Sequence, residues 1–327
     1  MHKTSPSLSG PVSVAPMMDW TDRHCRFFHR LLAPHAVLYT EMVTAQAVIN
    51  GARDRLLGFD AAEHPVVLQL GGSEATDLAE AAKIGADMGY DAINLNCGCP
   101  SERVQKGAFG ACLMAEPALV AECVAAMKQA VRIPVTVKCR IGIDDCAARD
   151  MLFAFTDTVR KAGCETFVVH ARKAWLKGLS PRENREVPPL DYDLPYALKR
   201  ETGLEVILNG GITDADAAAT HLERFDGVML GRAAYQNPSI LQTLEARLHG
   251  TTPMPLSTVI ALMGEYADRQ KERTDTPVHS ITRHMLGLVN GRRGARRWRQ
   301  ILGAGSVGAT RARDVLIPAL EAVEGAD

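Results

Sequence analysis

The chain has 327 residues, 46% hydrophobic and 23% charged, a composition that excludes disordered, collagen-like and fibrous classes and leaves ample sequence for a buried core. Lysine plus arginine number 37 against 38 aspartate plus glutamate, a net charge of -1 that argues against a surface uniformly coated for nucleic acid. No apolar stretch approaches the roughly 20 residues that span a bilayer, residues 1–10 lack a secretory apolar region, and the eight cysteines lack paired CxxC spacing; a reduced, metal-free, cytoplasmic and monomeric protein is expected.

Short β-branched apolar runs, each closed by Gly, Pro, Asn or a charged residue, recur at 12–17, 36–42, 65–71, 92–96, 134–140, 166–172, 205–210 and 227–232. Helical periodicity fills most of the gaps: 74–88 carries Leu78, Ala81, Ala82 and Ile84, and 117–131 carries Val120, Val124 and Met127. Thr21-Asp22, Ser73 and Thr213-Asp214 supply side-chain oxygens where helices begin. Gly89, Gly163 and Gly203 stand where they stop. Eight alternations predict an α/β fold, a closed (β/α)8 TIM barrel, for which about 250 residues is typical; an open doubly wound sheet is the competing topology.

The pattern changes after residue 248. Residues 249–255 read as a Gly/Pro/Thr linker, and the remainder of the chain is helical in pattern, with Val259, Ile260, Leu262, Met263 and Tyr266 in 257–271 and Met285, Leu286, Leu288 and Val289 further on. The expected division is a catalytic barrel, 1–248, and an all-helical C-terminal domain, 249–327. Between 283 and 313 the second part holds eight arginines and no Asp or Glu, a basic segment hidden in the neutral total.

Reacting groups in such a barrel come from the C-terminal ends of the strands. Those ends carry Pro16-Met17-Met18, Glu41, Gln69, Asn94 and Asn96, Lys138 and Arg140, His170, Asn209-Gly210-Gly211 and Gly231-Arg232. Polar groups at the ends of apolar strands are costly unless they meet partners or a ligand. The glycine-rich turns after the last two strands fit a phosphate site, although glycines also serve merely to permit tight turns. Lys138 and His170 beside that site suit a ring that becomes anionic on reduction, a flavin; Gln69 suits its polar edge. An anionic phosphorylated substrate would satisfy much of the same pattern.

Asn96-Cys97-Gly98-Cys99-Pro100-Ser101 follows the fourth strand, and its glycine and proline bend the loop so as to lift a cysteine toward the mouth, where a thiol near a cation serves as general acid or nucleophile. Residues 105–110 look like a mobile flap with Gly107 and Gly110 as hinges. The remaining six cysteines read as packing residues.

Val14-Ala15-Pro16-Met17-Met18-Asp19, Gln69-Leu70-Gly71-Gly72, Asn94-Leu95-Asn96-Cys97-Gly98-Cys99-Pro100, Lys138-Cys139-Arg140, His170-Ala171-Arg172 and Asn209-Gly210-Gly211-Ile212 resemble, in order and spacing, the flavin-dependent tRNA-dihydrouridine synthases. The run from His170 through Pro181 to Leu190, with His284-Met285-Leu286-Gly287 and Gly294-Ala295-Arg296-Arg297-Trp298-Arg299, resembles the A branch of that family. The likeness covers nearly the whole chain. It implies FMN in the barrel mouth, reduced by NADPH, with hydride passing from flavin N5 to C6 of a uridine and a cysteine donating the proton to C5. The donor maps onto Cys99 rather than Cys97. FMN contacts map onto Pro16, Met17, Met18, Gln69, Lys138, His170, Asn209, Gly210, Gly211, Gly231 and Arg232. The branch implies uridines 20 and 20a of the tRNA D-loop.

A uracil in a tRNA loop has to be splayed out before a flavin stacks on it, and the surrounding phosphates call for basic side chains. Asn94 and Asn96 are candidates for the uracil edge. Arg140, Lys173, Lys177, Glu183, Asn184 and Arg185 are candidates on the barrel rim, and Arg296 and Arg299 in the helical part. The alternatives are a small-molecule flavin reductase of the dihydroorotate dehydrogenase or enoate reductase kind, and a non-catalytic RNA-binding protein.

Overall fold

The computed structural model describes residues 10–325, with backbone alone at 103 and 106. Residues 1–9, most of the segment read for a secretory signal, and 326–327 lie outside the described part.

All eight expected strands form: Val12–Val14, Val37–Tyr39, Val66–Gly71, Ala92–Cys97, Val135–Arg140, Thr166–His170, Glu205–Asn209 and Gly227–Leu230, here numbered one to eight. Each pairs in parallel with the next; strand two pairs with strand three through Leu38↔Val66, and strand eight returns to strand one through Val228↔Val12. The sheet is therefore closed, and the open doubly wound alternative is excluded. A two-residue strand, Val43–Thr44, pairs outside the closed ring with strand three.

Strand periodicity of two explains how one sequence serves two environments. The inward set, Ala15, Val37, Tyr39, Val67, Ala92, Val168, Ile207 and Met229, packs into one buried cluster with Met17 against it. This is the filled interior of a barrel rather than a pore. The alternate set, including Leu68, Ile93, Val137, Val169 and Leu208, is equally buried and meets the surrounding helices. Strands buried on both faces read as continuous apolar runs, which is how they are recognisable in sequence.

Helices Ala75–Asp87, Pro117–Ala130, Ala148–Lys161, Asp193–Thr202 and Ala215–Leu222 follow strands three to seven. Asp214 caps the last of these by accepting from Ala217 N at 2.8 Å, and Gly203 ends the helix before it at φ 69°. Ser73 is not a cap: Glu74 occupies that position without a side-chain bond.

The chain divides into two compact units, Met1–Met18 with Val37–Gly231, and Asp19–Ala36 with Arg232–Asp327. The break expected at 248/249 falls inside the second unit, because helix Ser239–His249 packs with helix Arg23–Leu32. That unit also holds Leu256–Thr274, Ala295–Leu302 and Arg313–Glu324, and buries Trp298, whose Nε1 donates to Met285 O at 3.0 Å. The apolar run 285–289 is not an α-helix. It is a single 3-10 turn, Arg283–Met285, followed by turns. A side chain at Gly287 would stand 2.2 Å from Gln236 O, so close backbone approach decides the conformation there. Among the described residues no helix is long and apolar enough to cross a membrane.

Candidate active site at the barrel mouth

The inward positions that end strands three to seven are polar, and several of them bond to one another between strands. Gln69 Nε2 donates to Asn94 Oδ1 at 2.8 Å, Asn94 Nδ2 donates to Thr136 Oγ1 at 2.9 Å, and Asn96 Nδ2 donates to Gln69 Oε1 at 2.9 Å. Gln69 is 1% exposed. Its amide still keeps one N–H and one lone pair unspent by these bonds. Asn94 is fully buried with both ends of its amide engaged. It holds the Gln69 amide in place from the adjacent strand.

Asn96 spends its oxygen on the loop that follows it: Gly98 N and Cys99 N both donate to Oδ1 at 3.0 Å. One side chain thereby fixes the backbone of the cysteine loop. The two cysteines are sorted by strand parity. Cys97 is on the strand, faces away from the interior set and is fully buried, and burial pushes its thiol well above the ordinary range. Cys99, past the strand end, is partly exposed, close enough to act on the charges of Lys138 and Arg140. The loop is braced from beyond as well, with Ala111 N donating to Cys99 O at 2.9 Å.

Gly110 is not a free hinge. It sits at φ 82°, and a Cβ there would lie 2.5 Å from Cys99 O. The flap read at 105–110 contains the end of a short helix, Glu102–Lys106, with Gln105 Nε2 donating to Pro100 O at 2.8 Å and to Leu176 O at 2.9 Å.

Strands five to seven bring the cations together. Lys138 Nζ donates to Asn209 Oδ1 at 2.9 Å, and Asn209 Nδ2 donates to Met229 O at 2.8 Å. Burial first, and then Arg140, lower Lys138 from 10.5 to about 8. His170 is 8% exposed; burial holds it well below its ordinary value, and the charges acting on it, Arg140, Lys138, Arg172 and Arg185, are all positive. His170 is therefore a neutral imidazole inside a positive field. Gly210, at φ 107°, allows the backbone to pass against that ring: a Cβ would lie 2.5 Å from His170 Cδ2. Gly211, at φ 71°, passes equally close to Leu190 and Tyr192. Gly231 lies over Ala15 and Met17, each 3.9 Å from where its Cβ would be. Met18, just beyond, is 59% exposed. Pro16 and Met17 are partly buried at the end of strand one, and Arg232 opens a five-residue helix, Arg232–Gln236, in the second unit.

Arg140 works as a brace for the rim. Its guanidinium donates to Gly98 O at 3.2 Å, Lys173 O at 3.1 Å and Asn184 O at 2.8 Å, joining the loops after strands four and six. Asn184 is fully buried and ties its own loop together through Trp175 and Leu179. The Lys173 ammonium donates to Asp144 O and Cys146 O, and Glu183 accepts from Ser180 N at 2.8 Å. These side chains, expected to meet substrate, are engaged in holding the loops. Lys177 and Arg185 stay exposed on the rim, as do Arg296 and Arg299 on helix Ala295–Leu302. Arg299 donates to Asn290 Oδ1 at 3.1 Å. Sequence reasoning missed Asp144, whose carboxylate accepts from Leu176 N at 2.8 Å. Its φ of 45° is a tertiary property with no signature in the local pattern.

The fold is shared by morphinone reductase, at TM-score 0.53 and 14% identity over 76% of this chain and 88% of that one. In sequence the chain is 58% identical over 296 residues to a tRNA-dihydrouridine(20/20a) synthase of Xanthomonas campestris pv. campestris, covering 90% of this chain and 88% of that protein. It is 54% identical over 301 residues to the protein of that name from Shewanella oneidensis, covering 91% and 89%. The family model described as Dihydrouridine synthase (Dus) matches residues 13–324, from the first barrel strand to the last helix. With that match and those relatives beside the closed barrel, the chain belongs to the dihydrouridine synthase family.

Proposed function

We propose that this protein reduces uridine to 5,6-dihydrouridine at positions 20 and 20a of the tRNA D-loop, with FMN as resident cofactor and NADPH as reductant. Family membership and the names of its relatives support the substrate. The observation that carries the chemistry is the joint placement of Cys99, partly exposed on a loop pinned by Asn96, and a cluster of positive groups around Lys138 and His170.

The residues present fit an anionic, phosphate-bearing ring system. The field around His170 is positive, Gln69 keeps hydrogen-bonding capacity for a polar ring edge, and Gly210, Gly211 and Gly231 keep the ends of strands seven and eight free of side chains. Pro16, Met17 and Met18 suit the apolar side and the glycine turns suit the phosphate; Arg232, next after Gly231 in the chain, is the charged contact that the family resemblance implies. The bound flavin supplies the hydride delivered to C6 of the uracil. Lys138, bridged to Asn209, offsets negative charge on the ring. Cys99 holds the proton that C5 receives, and Asn96 keeps the Cys99 backbone in register with Gln69. Neutral His170 donates a hydrogen bond without adding charge.

Lys177 and Arg185 on the rim, and Arg296 and Arg299 on helix Ala295–Leu302 of the helical unit, offset tRNA phosphates. The reaction belongs to the cytoplasm, where tRNA and NADPH meet. The deciding experiment is position-resolved dihydrouridine mapping of tRNA from cells lacking this protein. Loss confined to positions 20 and 20a is expected. Loss at other D-loop positions with 20 and 20a intact overturns the assignment, and a purified protein without flavin absorbance or flavin binding overturns the cofactor.

A further inference from the structure

Three side chains far apart in sequence meet within the second unit, none of them a residue of the candidate active site. Glu245 and His249 lie four residues apart on helix Ser239–His249, a spacing that puts both on one face. The helix ends immediately afterwards with Gly250 at φ 66°, so His249 projects from the last turn. His35 comes from the turn after helix Arg23–Leu32, and Arg30 pins that turn by donating to Ala33 O at 2.9 Å and Pro34 O at 2.7 Å.

One ligand atom from each of His35, Glu245 and His249 lies within 4.8 Å of the other two. Glu245 is 5% exposed, whereas both histidines are exposed. Its carboxylate accepts from His35 N at 3.3 Å and bonds the His35 ring through Nδ1. The two imidazoles lie face to face, 4.2 Å between centroids and tilted by 28°. A buried carboxylate beside two rings that both reach solvent is a costly arrangement for a negative charge, and a cation held by all three groups offsets that cost.

We propose that His35, Glu245 and His249 bind one divalent transition-metal ion, with zinc as the expected occupant and cobalt and nickel as substitutes. Two imidazole nitrogens with one carboxylate oxygen is a donor set of borderline character, matched to these ions rather than to calcium or magnesium, which take oxygen ligands. Three protein ligands leave a fourth position for water. Donors around tetrahedral zinc stand about 3.3 Å apart, given metal–nitrogen distances of about 2.0 Å. The two exposed rings close the present spacing by side-chain rotation, while the buried carboxylate stays fixed. Cysteine spacing could not reveal this set, since it contains no cysteine and His35 precedes Glu245 by 210 positions.

The test is zinc titration of chelator-treated, full-length protein, with Co2+ absorption as a report on ligand type. Wild type is expected to take up one saturable equivalent, to melt at higher temperature with zinc than without it, and to give a Co2+ spectrum free of thiolate charge transfer. His249→Ala, at an exposed position, should keep the metal-free melting temperature, whereas His35→Ala, which also removes a partner of the buried Glu245 carboxylate, should lower it; both should weaken zinc binding by about tenfold or more and lose the zinc-dependent rise in melting temperature. Equal affinity in wild type and His249→Ala, a thiolate band in the Co2+ spectrum, or no saturable uptake by wild type would each overturn the proposal.

Discussion

Lys138 and Asn209 lie two strands apart, with Val168 of the intervening strand directly opposite Lys138, yet the lysine ammonium donates to Asn209 Oδ1 at 2.9 Å. The side chain bridges over a buried valine to reach a strand that it does not pair with. The contact needs both side chains on the inward face of a sheet curved enough to bring alternate strands together, as the inward layers of a barrel do. It fixes Asn209 and directs a positive charge into the mouth of the barrel.

That charge is pH-sensitive. Lowered from 10.5 to about 8 by burial first, Lys138 is protonated in both folded and unfolded chains below pH 8, where its confinement costs stability. Between 8 and 10.5 the unfolded chain alone keeps the proton, so this group's contribution to stability rises with pH across that window. Affinity for an anionic ligand should run the other way. FMN binding, followed by fluorescence quenching, should weaken between pH 7 and pH 9 in wild type and change little in Lys138→Met; matching profiles would show that another group titrates.

The two cysteines of the strand-four loop separate cleanly. Cys99→Ala should retain tRNA binding and lose a hundredfold or more of dihydrouridine formation, on the order of what a positioned general acid contributes. Cys97→Ser, at a fully buried thiol, should cost about 1–3 kcal/mol of stability through a poorly partnered hydroxyl and leave turnover per folded molecule intact. Thermal unfolding and single-turnover product formation distinguish the two, and full product formation by Cys99→Ala would remove it from the mechanism.

Gly110→Ala tests the bracing of that loop from the far side. The new Cβ would stand 2.5 Å from Cys99 O at a φ of 82°, so the loop has to shift. Turnover should fall about tenfold, whereas the KM for NADPH stays near wild type. An unchanged turnover would mean that the Cys99 backbone tolerates displacement.

Asp22 does two jobs in the second unit. Its Oδ1 caps helix Arg23–Leu32 by accepting from His24 N and Cys25 N, both at 2.9 Å, and its Oδ2 accepts from Arg283 Nη2 at 2.7 Å and His284 Nε2 at 3.0 Å. Burial alone would raise its pKa, but the bond and charge of His284 outweigh that and hold the carboxyl well below its ordinary value. A depressed carboxylate contributes stability above its unfolded pKa and loses it as the pH falls below that value. Asp22→Ala should therefore cost roughly 3 kcal/mol at neutral pH, with a smaller penalty under acid conditions. Denaturant melts at both pH values check the sign.

Charge reversal at Arg296 and Arg299, both exposed on helix Ala295–Leu302, should weaken tRNA binding by about tenfold and flatten its salt dependence by roughly two phosphate contacts. NADPH oxidation in the absence of tRNA should be unchanged. A double variant with wild-type tRNA affinity and turnover would remove both arginines from the tRNA contact set.

The strands of the barrel were legible in sequence because each is buried on both faces and reads as an apolar run with a polar end. Strand-end position singled out Gln69, Asn94, Lys138, His170 and Asn209 as polar groups closing apolar strands, and the structure buries all of them but Lys138, which is partly exposed. Which partners these amides meet was not legible: Asn94 bonds Gln69 and Thr136, and Asn184, on the loop after strand six, bonds Trp175. Residues 285–289 show the opposite failure: an apolar run suited to a helix yields to the close approach of Gly287 to Gln236.

Composition and periodicity by themselves determined the alternation of strands and helices, the acid-free arginine segment and the set of polar strand ends, all of which are local properties of the chain. Tertiary structure alone decided how deeply Cys97 is buried and that Cys99 stays partly exposed, which partners the amides meet, and that His35 meets Glu245 across 210 residues. The physical reason is that hydrogen bonds and electric fields depend on separation in space, and folding, by strand pairing in the barrel and by helix packing in the second unit, makes neighbours of side chains that sequence keeps far apart.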